Sequence, residues 1–202
     1  MYNTEQWIDI LHEENPYENF DPKDLKLDMQ GWGSNEPIFS RLIEEIKPKL
    51  IIEIGTWKGA SAIHMAGYLS EDSSVICIDS WLEEDVGYST EKEYNQFLYN
   101  VKRMDLENVI VPYPKTSLEA LSMLKHYEVK ADLIYIDAGH TYNEVMQDMK
   151  DCWKILKVGG VMFGDDYVHS YWKEIPTAVA DFCKNNNVES IIESRFWQIE
   201  KK

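Results

Sequence analysis

The stretch Leu50-Ile51-Ile52-Glu53-Ile54-Gly55-Thr56-Trp57-Lys58-Gly59-Ala60-Ser61 constrains the fold more than any other part of the chain. An apolar, β-branched run meets an acid, passes two glycines and restarts as Ala60-Ser61-Ala62-Ile63-His64-Met65-Ala66. That order reads as a buried strand, a tight turn and the start of a helix. Gly55 lets the backbone turn sharply and a ligand come close. Gly59 opens the helix with unpaired N–H groups suited to an anionic ligand group, and Ser61 adds a hydroxyl. A dinucleotide turn would carry glycine where this chain has Trp57, and an indole there crowds a pyrophosphate, which disfavours NAD.

The same unit recurs along the chain. Apolar runs at residues 49–54, 75–78, 108–111, 131–136 and 161–163 each precede a segment of helical periodicity. The helices are expected from Pro37 to Ile46, from Ala60 to about residue 69, and over 91–104. Further ones begin at the capping box Thr116-Ser117-Leu118-Glu119, run from about Val145 to Leu156 with Gly159-Gly160 closing them, and span Ile175–Lys184. Pro112 and Pro114 are expected to stop the third strand. Two closing strands, near 188–192 and 195–200, are joined too closely for a crossover and must pair antiparallel. Strand–helix alternation implies a parallel sheet carrying that reversed final hairpin.

Composition sets the bounds. With 202 residues, 44% hydrophobic and 12% aromatic, the chain is expected to form one domain with a substantial core. A formal net charge of −16 argues against nucleic acid or an anionic membrane as partner. No apolar run reaches a membrane span, no basic-then-apolar leader is seen, and Cys77, Cys152 and Cys183 read as buried thiols. A cytoplasmic setting is expected. Residues 1–33, with Tyr2, Trp7, Ile8, Leu11, Tyr17, Phe20 and Trp32, form either a packed flank or a lid or oligomer contact, and residues 34–202 form the core.

In an open α/β sheet, ligands gather at the carboxyl ends of the strands. Glu53, Asp79, Thr116 with Ser117, Asp137, and Asp165 with Asp166 all fall at expected strand ends. An acid at Asp79 can accept two ribose hydroxyls. Trp81 either lines the ligand site or packs inside, and Thr116 and Ser117 have the spacing to cap a helix. Asp137-Ala138-Gly139-His140 and Gly164-Asp165-Asp166-Tyr167 bring three carboxylates to neighbouring strand ends, with no Lys or Arg in either loop. Such a group is costly in a partly dry cleft unless a cation sits among the carboxylates, and hard oxygen donors suit Mg²⁺ or Mn²⁺. The bland alternative is that Asp165-Asp166 merely caps a turn. His140 suits a general base near neutral pH, or is simply a helix-start residue. Of the other histidines, only His169 falls where it could reach the cleft.

Glu53-Ile54-Gly55-Thr56-Trp57-Lys58-Gly59-Ala60-Ser61 resembles the first motif of class I S-adenosylmethionine-dependent methyltransferases, most of all the catechol O-methyltransferase-like branch. The spacing of Asp137 from Asp165-Asp166 is similar to that in its metal-dependent members, and the chain resembles a bacterial branch some of whose members modify sugar or antibiotic hydroxyls. The resemblance implies a Rossmann-like α/β fold, with seven strands, mostly parallel with an antiparallel last strand, and helices on both faces. It implies cofactor contacts from Glu53, Gly55, Thr56, Trp57, Gly59, Ser61, Asp79, Ser80, Trp81, Thr116, Ser117 and Asp137. It also implies a Mg²⁺ or Mn²⁺ ion on Asp137, Asp165 and Asp166, with His140 and Asp137 as catalytic residues. The expected substrate is a small-molecule or sugar hydroxyl beside a second oxygen, with self-association left open. The rival readings are metal-independent O- or N-methylation and a catalytically idle cofactor-binding partner subunit.

Overall fold

Leu50–Ile54 (β1) is buried at every position, which is what a central strand covered on both faces demands. Around it the computed structural model describes residues 2–21, 24–31, 33–70, 72–81, 90–168 and 170–202. Trp32, His169 and residues 82–88 of the acidic loop lie outside them. The helices are α1 (Thr4–Leu11), α2 (Pro37–Ile46), α3 (Ala60–Ala66), α4 (Glu91–Arg103), α5 (Ser117–His126), α6 (Tyr142–Ile155) and α7 (Glu174–Asn186). The remaining strands are β2 (Ser74–Asp79), β3 (Ile110–Pro114), β4 (Ala131–Ile136), β5 (Leu156–Gly164), β6 (Ile191–Glu193) and β7 (Phe196–Glu200). They form a seven-stranded sheet in the order β3-β2-β1-β4-β5-β7-β6. The first five strands are parallel; β7 runs antiparallel to both β5 and β6. The order reverses between β1 and β4, and the ends of those two strands carry the glycine turn and Asp137.

Three sequence expectations need correction. Pro112 lies inside β3 and does not stop it, and Pro114 is its last residue. β3 is an edge strand, and residues 110, 112 and 114 turn their backbone groups away from β2, so a missing N–H costs the sheet nothing there. The bare carbonyls on that edge are covered by the N-terminal segment. The Tyr17 hydroxyl donates to Ile110 O at 3.0 Å, and His12 Nε2 bonds Pro112 O at 2.6 Å. A buried carbonyl left without such a partner would cost about 1–3 kcal/mol. Gly159 and Gly160 likewise lie within β5, where the register to β4 shifts, and not at the end of α6. Gly159 takes φ +80° and pairs with Lys201, so the glycines make a bulge that admits the C-terminal residues. The third correction is to α3, which ends at Ala66, short of residue 69, with Gly67 as its C-cap.

After Tyr17 the N-terminal segment crosses to the other end of the sheet. Asp28 pairs with Lys58 at 2.7 Å, and Asn100 Nδ2 donates to the carbonyls of Asp28 (2.7 Å) and Lys58 (2.9 Å). Gly31 then lies against Ala60, and Gly33 against Arg195 and Asp165.

Candidate functional site

The glycine turn is built by its neighbours. Gly55 N–H donates to Ile78 O at 2.9 Å, and Asp137 N–H donates to Ile54 O at 2.8 Å, so β1 stays zipped to β2 and β4 up to the turn. Gly55 takes φ +87°, and a Cβ there would lie 2.0 Å from the Asp137 carbonyl oxygen. No other residue fits. Trp57 holds a left-handed backbone at φ +49°, and its N–H donates to Asp79 Oδ2 at 2.7 Å. The acid ending β2 is therefore tied to the turn after β1. Gly59, at φ +83°, closes the turn with its N–H on Thr56 O at 2.9 Å.

Glu53 departs from the expected polar rim. It is 0% exposed and faces inward. Thr56 Oγ1 donates to it at 2.9 Å, the Ser61 hydroxyl donates to its other oxygen, and the Cys77 thiol reaches it at 3.8 Å. Burial pushes its carboxyl up to about 7, against the pull of the two hydroxyls. The side chains of Thr56 and Ser61 thus serve Glu53. Trp81 is in the core, tilted against Tyr94 and Phe97, with its indole N–H on Trp57 O at 2.8 Å. Ser80 is half-buried at the end of β2. Thr116 caps α5 by accepting Glu119 N–H at 3.3 Å. Ser117 hydrogen-bonds Asp148 of α6, whose carboxyl burial pushes up to about 6.

The second half of the site lies at the ends of β4 and β5. Asp137 accepts from the Tyr135 hydroxyl at 3.2 Å. Burial first, then the nearby Asp165 and Asp166, push its carboxyl up to about 7. Asp166 sits at φ +61° and is nearly buried; its N–H donates to Asp165 Oδ1 at 2.5 Å. His140 Nε2 lies 3.0 Å from Asp166 Oδ2, and that bond raises the imidazole above its ordinary range. Trp172 stacks on the His140 ring, with centroids 4.1 Å apart and planes 19° apart.

Two residues here escaped the sequence reading. One is Trp172. The other is Arg195, in the turn of the closing hairpin, whose Nε donates to Asp165 Oδ1 and whose Nη2 donates to Asp166 Oδ1 at 2.7 Å. The turn is held in place by Tyr167 N–H on Arg195 O at 2.8 Å. The acids were expected to meet without Lys or Arg because neither of their own loops holds one. The cation arrives instead from the β6–β7 turn, which the pairing of β7 with β5 brings to these acids, and the expected closing hairpin was the signal that could have found it.

The structure thus brings together Asp137, His140 and Asp166 and turns Asp165 toward Arg195. Among the described residues, the first three offer metal-ligand atoms all within 4.8 Å of one another. Donors on one Mg²⁺ sit at about 2.0–2.1 Å from it, so at most ~4.2 Å apart, and slight closure would suffice. The two carboxylates are donors that suit Mg²⁺ or Mn²⁺, whereas an imidazole suits softer ions better.

A polar rim around a glycine turn at a strand-order reversal defines a ligand-binding α/β enzyme fold. Residues 52–167, more than half of the chain, match the family described as the methyltransferase domain, and the chain belongs to that family. It is 27% identical over 157 residues to a caffeoyl-CoA O-methyltransferase of Stellaria longipes, covering 74% of this chain and 59% of that protein. It is 26% identical over 158 residues to an uncharacterized protein of Sinorhizobium fredii, covering 71% of this chain and 17% of that one. The chain therefore spans less than two thirds of either relative. Among solved structures, the fold is similar to the O-methyltransferase of Bacillus cereus in complex with SAH, at TM-score 0.64 and 18% identity, covering 97% and 96% of the two chains. It is also similar to the O-methyltransferase TomG of Streptomyces achromogenes, involved in tomaymycin synthesis and solved with SAM, at TM-score 0.66, 16% identity and full coverage of both chains. At these identities the likeness is one of fold, and it bears out the mostly parallel seven-stranded sheet. Among the described residues no helix is long and apolar enough to cross a membrane.

Proposed function

We propose that the chain is an S-adenosylmethionine-dependent O-methyltransferase acting in the cytoplasm on a small-molecule or sugar hydroxyl with a neighbouring oxygen, assisted by Mg²⁺ or Mn²⁺. One observation carries the reading. The glycine turn after β1 touches the Asp137 carbonyl, so the place for a cofactor and the His140–Asp166 pair adjoin across adjacent strand ends. The family match and the names of the relatives support methyl transfer to oxygen.

The turn from Gly55 to Gly59, with Asp79 beside it, is the set we assign to the cofactor; when bound, S-adenosylmethionine supplies the electrophilic methyl. Asp137 and Asp166, with His140 beside them, are the residues that would hold a divalent ion, whose charge would stabilise a substrate oxyanion. His140 is the group we assign to take the substrate proton, with Trp172 fixing its ring plane and Asp166 its Nε2. The protein's part is position and electrostatics.

A second reading, transfer without a metal, has Arg195 in its favour, because the guanidinium already offsets Asp165 and Asp166. The test is mass spectrometry of methylated products against a panel of vicinal diols and catechols, with and without EDTA. Product lost in EDTA and restored by Mg²⁺ supports the metal-assisted reading, and product indifferent to EDTA supports the second. Absence of S-adenosylhomocysteine binding by calorimetry would overturn both.

A further inference from the structure

The acids at the ends of β4 and β5 are not equivalent, and the difference is made from outside their own loops. Asp165 is fully enclosed: its side chain is 0% exposed, against 10% for Asp166 and 29% for His140. Its Oδ1 takes both the Asp166 N–H and Arg195 Nε. Its Oδ2 is buried and, among the described residues, has no hydrogen-bond partner. Gly33 lies over this pair: a Cβ there would be 3.4 Å from Asp165 Oδ2 and 3.3 Å from Arg195 Nη1. Asp166 is divided instead, with Oδ1 on Arg195 and Oδ2 on His140. Its left-handed backbone at φ +61° goes with that two-sided placement.

We propose that Arg195 is a positioning residue that acts as the resident counter-cation of this cluster, withdrawing Asp165 from metal binding and presenting Asp166 to the ion's side. It rests on the assignment of Asp137 and Asp166 as the residues that would hold an ion. A guanidinium fork matches two carboxylate oxygens well, and it is held here by its own backbone through Tyr167. Its positive charge opposes a divalent cation nearby, so it limits the affinity of the site. Without it, Asp165 would be a buried carboxylate with only the Asp166 N–H as partner, and a divalent ion is the natural replacement for the lost charge.

The consequence is a specific pattern of Mn²⁺ affinities, read from the resonance signal of free Mn²⁺ on the full chain without substrate. Asp165→Asn in the otherwise native chain should leave the dissociation constant within about twofold, whereas Asp137→Ala should raise it at least tenfold. Arg195→Met should bind Mn²⁺ at least tenfold more tightly than the native chain, and adding Asp165→Asn should abolish that gain. Arg195→Lys, which keeps charge without the fork, should gain less than Arg195→Met and guards against a variant that fails to fold.

An Asp165→Asn loss as large as that of Asp137→Ala would overturn the proposal, because Asp165 would then be a ligand in spite of the fork. So would equal affinities of the native chain and Arg195→Met while both bind, and that result would leave the metal-assisted reaction standing. Binding by Arg195→Met alone would support Arg195 as the replacement cation and remove the metal from the proposed reaction. Binding by neither would overturn both.

Discussion

Glu53 and the Asp165–Asp166 pair are carboxylates at the same side of one sheet, all of them 7% exposed or less, yet they are stabilised by different means. Glu53 has two hydroxyls and a thiol as neighbours. Hydroxyls donate hydrogen bonds but bring no charge, so desolvation wins and the carboxyl rises to about 7. The aspartates have a guanidinium shared between them and an imidazole on the outer one. Burial also raises Asp165, but the Arg195 charge and the Asp166 N–H oppose it. Burial alone therefore says little about a carboxylate. The charge of its partners decides whether it behaves as a neutral structural group or as part of an ionic site.

Gly55 lies between the strand of Glu53 and Asp137 at the end of β4, so breaking that seam should have the largest effect. Gly55→Val would put its Cβ 2.0 Å from a backbone oxygen at φ +87°, which no rotamer relieves. Destabilisation of at least about 4 kcal/mol is expected, because β1 must part from β4 for the side chain to fit. Urea unfolding measures it, and a change below about 1 kcal/mol would mean that the turn adapts. On the ionic side, His140→Ala should lower kcat by roughly 10²–10⁴-fold if the imidazole takes the substrate proton, with cofactor affinity nearly unchanged. A variant that keeps most of its kcat would reduce His140 to a partner of Asp166.

How much of this contrast was legible in the sequence follows from where each partner lies. Thr56 and Ser61 are three and eight residues from Glu53, within one strand–turn–helix unit that local composition reveals. The inward direction of Glu53 was not legible. β1 is covered on both faces, so no alternation of polar and apolar residues marks which side is which. Arg195 lies about thirty residues from its acids and reaches them only because β7 pairs antiparallel with β5. Nothing local marks it. Trp172 escaped for the same reason, its stacking on His140 being set by tertiary packing. The prolines of β3 misled because an edge strand tolerates what a central strand cannot.

Arg195→Met should come next in size. Removing one partner of a buried ion pair costs about 3–5 kcal/mol when both partners are fully buried, and the Arg195 side chain is 29% exposed, so about 2–3 kcal/mol is expected. Adding Asp165→Asn should recover most of that loss, since the orphaned charge goes with its partner. If the double variant is no more stable than Arg195→Met, the fork is not what holds Asp165.

The smallest effect, and the sharpest test of the contrast, belongs to Glu53→Gln. Glu53 has a folded-state pKa of about 7 against 4.5 when unfolded, so the folded chain holds its proton more tightly. Its contribution is then fully present below about pH 4.5 and is lost as the pH rises toward 7, with no further loss above. Asp148, pushed up to about 6, slopes the same way without contacting Glu53, whereas Asp137, pushed up to about 7, repels the Glu53 carboxylate and loses part of its own slope in the variant. Glutamine keeps one acceptor for Thr56 or Ser61 and cannot ionise. At pH 5 it should cost about 1 kcal/mol, the price of one imperfect hydrogen bond. By pH 8 the native carboxylate is charged among neutral hydroxyls, and the variant should match or exceed the native stability. Urea unfolding at several pH values between 5 and 8 measures the difference. A sign change across that range is what a carboxyl with only neutral partners requires. Parallel curves for the two proteins would mean that Glu53 stays ionised throughout and that some positive group compensates it, as Arg195 does for Asp165.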